Sequence, residues 1–173
     1  MLIKEENKMK TTTDQKINSY LSFSLGEEDF AVNVSCVLNI LEMSRITRIP
    51  RAPEYMLGVI NLRGEVLPLV DMHIKFGMES AEIDSNTCIL VMDLVLDGEE
   101  IKVGALVDSV KEVHEIQPED ILPAPSIGSR YRSDVIEGLY KNKEAFIMIL
   151  DMNKIFTLDE LYEIKGMSVE SES

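Results

Sequence analysis

The sequence predicts a mainly β fold made of small barrels or a sandwich. Short apolar runs rich in Val and Ile alternate with tight turns that contain Gly, Asp or Asn, a pattern typical of antiparallel strands. Helical spacing is confined to one region near the C-terminal end. The order of the elements also repeats once along the chain, which indicates two copies of one β-unit.

Four pairs of apolar runs are predicted to form β-hairpins. The runs in each pair flank a short polar turn, and their β-branched, alternating composition favours strands. Asp97-Gly98 and Arg63-Gly64 are the turn dipeptides of two of these pairs. The predicted pairs are residues 20–25 with 30–34, 59–62 with 66–70, 88–96 with 101–107, and 135–140 with 145–150.

The predicted helix covers residues 151–164. Its apolar residues fall three or four positions apart and define one face; they are Met152, Ile155, Leu158, Leu161 and Tyr162. A single helical turn is also expected near Pro53. The polar segments 1–17 and 166–173 are expected to be mobile tails.

The two halves of the chain share an ordered set of features. Gly58 is followed thirteen residues later by Asp71, and Gly138 is followed at the same spacing by Asp151. A Met follows each Asp directly, and a Phe lies five residues beyond each Asp. Each unit alone would be marginal in size, so we expect the two to share a core and leave a groove between them. The predicted body, residues 18–165, divides into halves of about 18–82 and 83–165.

Composition excludes several classes of function. The formal net charge of −14 disfavours binding to nucleic acid and to anionic lipid surfaces. The longest apolar runs have about six residues, whereas a membrane span needs roughly 20, and no signal peptide is visible. Cys36 and Cys88 lie in apolar contexts and are expected to be buried thiols. We therefore expect a cytoplasmic protein that does not insert into membranes.

The sequence contains no recognisable catalytic or metal-binding motif. His73 and His114 are the two histidines, and neither has a metal-ligand spacing. Acidic residues cluster at hairpin tips, where turn formation and solvation explain them. We predict no catalytic residue, no metal and no cofactor. A small β-barrel enzyme with titratable groups in the groove between the halves stays open as an alternative.

Residues 58–72 read Gly-Val-Ile-Asn-Leu-Arg-Gly-Glu-Val-Leu-Pro-Leu-Val-Asp-Met, which resembles the signature hairpin of the CheW family of chemotaxis coupling proteins. Other segments fit the same family in order, and the resemblance covers roughly residues 20–163. These segments are residues 23–32, 46–50 followed by Pro53, 121–125, and the predicted helix after Asp151.

The resemblance implies two five-stranded SH3-like barrels that share a hydrophobic core, with a C-terminal helix. The barrels would span about residues 18–82 and 83–165, with exchange of a terminal strand as an option. It implies a non-catalytic adaptor that joins the regulatory domain of the histidine kinase CheA to the cytoplasmic tips of methyl-accepting chemoreceptors, recruited to membrane receptor arrays by these partners. A scaffold of another two-component pathway and a piece of a larger kinase are the alternatives.

The resemblance also implies a receptor-binding cluster. It falls on Val37, Asn39, Gly58, Arg63, Gly64, Cys88 and Ile89. The turn in the first half reads Asn-Leu-Arg-Gly, whereas its counterpart in the second half reads Lys-Asn-Lys-Glu. Because the halves differ at this turn, specific recognition is assigned to it, and Leu62 is added to the set.

The predicted turn has two features that bear on binding. Gly64 allows a positive φ that would present Arg63 outward as an anchor. The family usually has Glu where Asn39 stands, so Arg63 would be either unpaired or paired with another acid such as Glu42. Pro68 cannot donate a backbone hydrogen bond, which predicts an edge position for its strand.

Overall fold

The computed structural model describes residues 17–80, 82–124 and 135–170. These residues form ten strands, arranged as two five-stranded sheets, and two α-helices. The strands are β1 (Ser19–Leu25), β2 (Glu28–Asn33), β3 (Val37–Glu42), β4 (Met56–Leu62), β5 (Glu65–Asp71), β6 (Cys88–Leu96), β7 (Glu99–Val107), β8 (Ser109–Glu115), β9 (Ile136–Asn142) and β10 (Ala145–Leu150). The helices are α1 (Met72–Lys75) and α2 (Leu158–Glu170).

All four predicted hairpins are confirmed, as β1–β2, β4–β5, β6–β7 and β9–β10. The sequence prediction missed β3 and β8. In β3, inward and outward positions are both apolar, since Leu38 and Ile40 are exposed while Val37 and Leu41 are half-buried. The alternation that identifies a strand is therefore hidden.

Each sheet draws its strands from both halves of the chain. The first sheet has the order β3-β6-β7-β5-β4, and the second has the order β8-β1-β2-β10-β9. The hairpin β6–β7 thus completes a sheet with β3 to β5, while β1–β2 completes a sheet with β8 to β10. The sheets do not follow the predicted division between residues 82 and 83. A whole hairpin is exchanged between the halves, rather than a single terminal strand. Two parallel pairings show this exchange, β5 with β7 and β10 with β2.

Among the described residues, three apolar clusters account for the packing. One lies within the first sheet around Ile60, Leu69 and Ile89, and a second lies within the second sheet around Ala31 and Ile149. The largest cluster joins residues from both sheets and from α2. The predicted shared core is confirmed, because this third cluster would be exposed to water if the sheets were separated.

The internal repeat is visible as a repeated close approach. A Cβ atom on Gly58 would lie 2.3 Å from the carbonyl oxygen of Thr47, and one on Gly138 would lie 2.7 Å from that of Leu122. In both places the preceding segment crosses the strand and forms an antiparallel bridge, Thr47 with Val59 and Leu122 with Leu139. A glycine is needed at each crossing because any side chain would overlap this backbone.

The helical region differs from its prediction. Met152–Ile155 is a single 3₁₀ turn, and α2 begins only at Leu158. The boundary is set by Thr157, whose hydroxyl accepts a hydrogen bond from the Glu160 backbone N–H, while Glu160 accepts one from the Thr157 N–H. This reciprocal pair is a capping box, which the Thr-Leu-Asp-Glu sequence could have revealed.

The predicted apolar face of this region is only partly correct. Met152, Ile155 and Leu161 are buried, whereas Leu158 and Tyr162 are 59% and 47% exposed. The 3₁₀ turn and the break before Thr157 change the angular position of every residue after Ile155. The single turn expected near Pro53 is a tight turn closed by the Met56 N–H and the Pro53 carbonyl.

Helix α2 follows the second sheet but is fastened to the first. The ammonium group of Lys75, in α1, forms a 2.7 Å ion pair with Glu160 and lies 4.9 Å and 5.1 Å from the ring centres of Tyr55 and Phe156. The Tyr55 hydroxyl donates a 2.6 Å hydrogen bond to Glu163. The helix therefore acts as a strap across the two sheets.

The remaining predictions concern the tails and Pro68. Residues 1–16 and 171–173 of the predicted tails lie outside the described residues, and residues 166–170 belong to α2. Pro68 is not on an edge strand, because β5 lies between β4 and β7. The proline is tolerated since the β5–β7 pairing begins only at Leu69.

Candidate functional site

The β4–β5 turn is a two-residue turn with both central residues at positive φ. Leu62 pairs with Glu65, Arg63 has φ 55° and Gly64 has φ 87°. These angles are those of a type I′ turn, whose twist matches the flanking strands. The prediction gave the positive φ to Gly64, and the structure adds Arg63 itself. The left-handed conformation costs a non-glycine residue roughly 1–2 kcal/mol.

Asn61 holds this turn in place. Its side-chain oxygen accepts a 2.7 Å hydrogen bond from the Gly64 backbone N–H. Leu62 is half-buried and packs against the apolar cluster of the first sheet. Asn61 and Leu62 therefore both anchor the turn, and they fix the direction of the Arg63 Cα–Cβ bond.

Arg63 is exposed and has no ion pair or side-chain hydrogen bond within the described part of the chain. Glu42 is the other acid that the sequence suggested as a partner. It is exposed on β3, opposite Cys88, and forms no ion pair with Arg63. All five guanidinium N–H groups remain available to a partner.

Strand β3 places Val37 and Asn39 on its inward side. Both are half-buried, and a bulge against β6 lies between them. Asn39 uses its side-chain oxygen to accept a 2.8 Å hydrogen bond from the Ile40 backbone N–H. The outward side of the same edge strand exposes Leu38 by 47% and Ile40 by 44%. The sequence prediction missed these two residues. They could have been noticed as apolar residues at alternate positions of a strand, on the side that is normally polar.

Two predicted contact residues are buried. Gly58 lies under the segment that contains Ile46 and Thr47, and Ile89 is 0% exposed in the apolar cluster of the first sheet. Neither presents a surface, so any effect on binding would act through the positions of β4 and β6. Cys88 is half-buried and is a free thiol, as is Cys36.

All eight predicted site residues belong to the first sheet. Leu62, Arg63 and Gly64 share one turn, while Val37 and Asn39 lie on β3 and Cys88 and Ile89 on the adjacent β6. A shallow groove of about 260 Å³ adjoins the turn. It is lined by Thr47, Val59, Ile60, Asn61, Gly64, Glu65 and Val66.

Both histidines have structural partners, and His114 Nε2 lies 3.2 Å from the Ser22 hydroxyl. His73 lies 2.8 Å from Asp108, which also accepts a hydrogen bond from the Gly26 N–H in the β1–β2 turn. Among these residues, no three His, Cys, Asp or Glu side chains are grouped so as to hold a metal ion. Nor is any helix in the described ranges both long enough and apolar enough to cross a bilayer.

Comparison with known proteins identifies the family. The model of the CheW-like domain matches residues 19–160. The chain belongs to the CheW-like family. It is 34% identical over 140 residues to the chemotaxis protein CheW of Rhizobium meliloti, covering 81% of this chain and 88% of that protein. It is 31% identical to CheW of Thermotoga maritima, covering 85% and 93% respectively.

A solved structure supports the same assignment for the fold. The scaffolding protein TtCheW of Thermoanaerobacter tengcongensis is 29% identical, with a TM-score of 0.72, and the match covers 82% of this chain and 93% of that one. The predicted fold class, two five-stranded SH3-like units with a shared core and a C-terminal helix, is thereby confirmed for this CheW-like chain.

Proposed function

We propose that this CheW-like chain is a non-catalytic adaptor of chemotaxis signalling. It would couple the histidine kinase CheA, through that kinase's regulatory domain, to the cytoplasmic tips of methyl-accepting chemoreceptors. The support is the family match over residues 19–160, together with relatives that are named chemotaxis proteins and a solved neighbour that is named a scaffolding protein. In this role the chain works in the cytoplasm and reaches receptor arrays through its partners.

The β4–β5 turn is the proposed centre of the receptor contact. Arg63 is the observation that carries this assignment, because it is exposed, unpaired among the described residues and held by a fixed turn. Arginine is enriched at the energetic centres of interfaces, where its planar fork binds carboxylates or carbonyls. A preorganised turn lowers the entropy lost on binding.

The edge strand β3 would extend this contact. Leu38 and Ile40 expose apolar side chains next to the predicted pair Val37 and Asn39. An exposed apolar patch on an edge strand is a common feature of interaction surfaces. Gly58 and Ile89 would support the surface from beneath it.

The test is reconstitution of the kinase with receptor-containing membranes, in the presence and absence of the protein. We expect receptor-dependent stimulation of kinase autophosphorylation by the wild-type chain. Arg63→Ala should weaken receptor binding by about 1–2 kcal/mol, which is roughly 5- to 30-fold in Kd.

Lys143→Ala is the matched control. Lys143 occupies the equivalent place in the β9–β10 turn, is exposed and has φ 61°. Both substitutions therefore remove an exposed cation from a left-handed turn residue, and any effect of backbone strain cancels. Equal kinase activity with and without the protein would refute the adaptor role, and equal losses in the two variants would refute the role of Arg63.

A further inference from the structure

The connection between β3 and β4 concentrates positive charge in an acidic protein. Residues 43–53 contain Arg45, Arg48 and Arg51 and no acidic residue, although the whole chain has a net charge of −14. All three side chains are exposed. We call residues 43–53 the arginine loop. Its formal charge of +3, from three arginines, is opposite in sign to that of the chain as a whole.

The three guanidinium groups are unpaired within the described residues. The chain has 31 acidic residues, and lysines elsewhere do form ion pairs. These include Lys75 with Glu160, Lys102 with Glu65, Lys111 with Asp29, and Lys165 with Glu99. Glu42 and Glu54 flank the loop in sequence, yet no described carboxylate forms an ion pair with its three arginines. The loop's hydrogen-bond donors are therefore available to an external acid.

The arginine loop is held in a defined conformation. Thr47 and Val59 exchange two backbone hydrogen bonds, of 2.9 Å and 2.8 Å, and the Ala52 N–H donates to the Ile49 carbonyl. Pro50 and Pro53 restrict φ on either side of Arg51. Because the backbone is ordered before binding, a partner would have to order only the arginine side chains.

A groove lies beside Arg51, between the arginine loop and helix α2. Its volume is about 580 Å³. Its apolar lining includes Ile49, Pro50, Ala52, Pro53, Tyr162 and Met167. Glu163 also lines it, and its carboxylate already accepts the hydrogen bond from the Tyr55 hydroxyl. The surface thus combines cations on an ordered backbone with a recess for an apolar side chain.

We propose that the arginine loop binds an acidic segment of a partner protein and that an apolar residue of this segment enters the groove beside Arg51. An acidic peptide fits better than an anionic membrane. A membrane presents an extended negative plane to the whole chain of net charge −14, whereas a short peptide meets only the loop, since repulsion from distant carboxylates is screened over about 8 Å. The proposed contact is made by the three arginines and the groove beside Arg51, and it does not include Arg63. Thr47 of the arginine loop also lines the groove beside the β4–β5 turn, so the two surfaces adjoin.

The test uses a short fluorescent peptide of alternating Glu and Gly with one central Leu, and binding is measured by anisotropy at about 50 and about 200 mM NaCl. The full-length wild-type chain should bind it, more weakly at the higher salt. The triple variant R45Q/R48Q/R51Q should lose about tenfold or more in affinity. The control K102Q/K141Q/K143Q removes the same charge elsewhere and should change affinity by less than about twofold. Urea unfolding verifies that both variants are folded.

Several outcomes would overturn the proposal. One is a wild-type chain that does not bind the Glu peptide, and another is equal binding of a peptide with Gln in place of Glu. A third is an equal loss of affinity in the arginine and lysine variants. Binding to phosphatidylserine vesicles that needs the three arginines, without binding to the peptide, would assign the loop to a lipid surface instead. Self-association that needs them, again without peptide binding, would assign it to a second copy of the chain.

Discussion

The side-chain oxygen of Asn61 accepts a hydrogen bond from the backbone N–H of Gly64, at 2.7 Å, and this bond closes the turn that displays Arg63. Two consecutive residues at positive φ need such support, because one of them is not glycine. The turn is therefore stabilised by a side chain that lies outside its two central positions.

Replacement Asn61→Ala should destabilise the protein by about 1 kcal/mol, the usual contribution of one such hydrogen bond. It should also weaken receptor binding, since Arg63 would no longer have a fixed base. The measurements are urea unfolding and receptor pull-down. Asn142→Ala, at the end of β9, is the control and should have the smaller effect on both. If both variants bind receptor like the wild type, the turn does not need Asn61.

Gly58→Ala and Gly138→Ala should each destabilise the fold by about 2–4 kcal/mol. The new Cβ atom would overlap a backbone carbonyl oxygen that is fixed by a bridge on the neighbouring strand. Thermal and urea unfolding measure the loss. Gly166→Ala is the control, because its Cβ position has no described atom within 4 Å apart from its chain neighbours and the helix's own backbone, and alanine favours the helix. Equal stability of all three variants would show that the crossings can relax.

Lys75→Met should destabilise the protein by about 1–3 kcal/mol, because it removes a charged hydrogen bond to Glu160. The Lys75 side chain is only 11% exposed, so water does not replace this bond well. Lys102→Met is the control, since its ion pair with Glu65 is mostly exposed and should contribute about 0.5 kcal/mol or less. A double-mutant cycle with Glu160→Gln isolates the coupling of Lys75 to the strap. A coupling energy near zero would contradict this account of how α2 is fastened.

The fold should lose stability at alkaline pH in part through Cys36. Burial raises the pKa of this thiol from 9.0 to about 11. The folded state thus favours the neutral thiol, and this contribution is fully present below pH 9 and is lost as the pH rises through about 11. Urea unfolding between about pH 8 and about pH 11 should show a steeper decline in the wild type than in Cys36→Ala. Cys88→Ala is the control, and parallel profiles for wild type and Cys36→Ala would disprove the contribution.

Local features of the fold were predictable, and long-range ones were not. Hairpins such as the one around Asp97-Gly98 could be predicted because turn residues and strand alternation are adjacent in sequence. The exchange of hairpins could not, since β1 and β8 pair over about 90 residues and no local pattern records a distant neighbour. Nor could the break at Thr157 be found from apolar spacing alone.

The site shows the same division. The turn with Leu62, Arg63 and Gly64 could be located from its motif, but the burial of Ile89 depends on which strands cover it. The exposed pair Leu38 and Ile40 was missed because apolar residues are normally assigned to a core.

The exchange of hairpins also sets an order of events during synthesis. Hairpin β1–β2 leaves the ribosome first, yet its sheet partners β8, β9 and β10 are made last. The first sheet can close once β7 has emerged, while β1–β2 still has an unpaired edge. Of the ten described strands, β1 and β2 are therefore made first and complete their pairing last, because β10, the partner of β2, ends at Leu150.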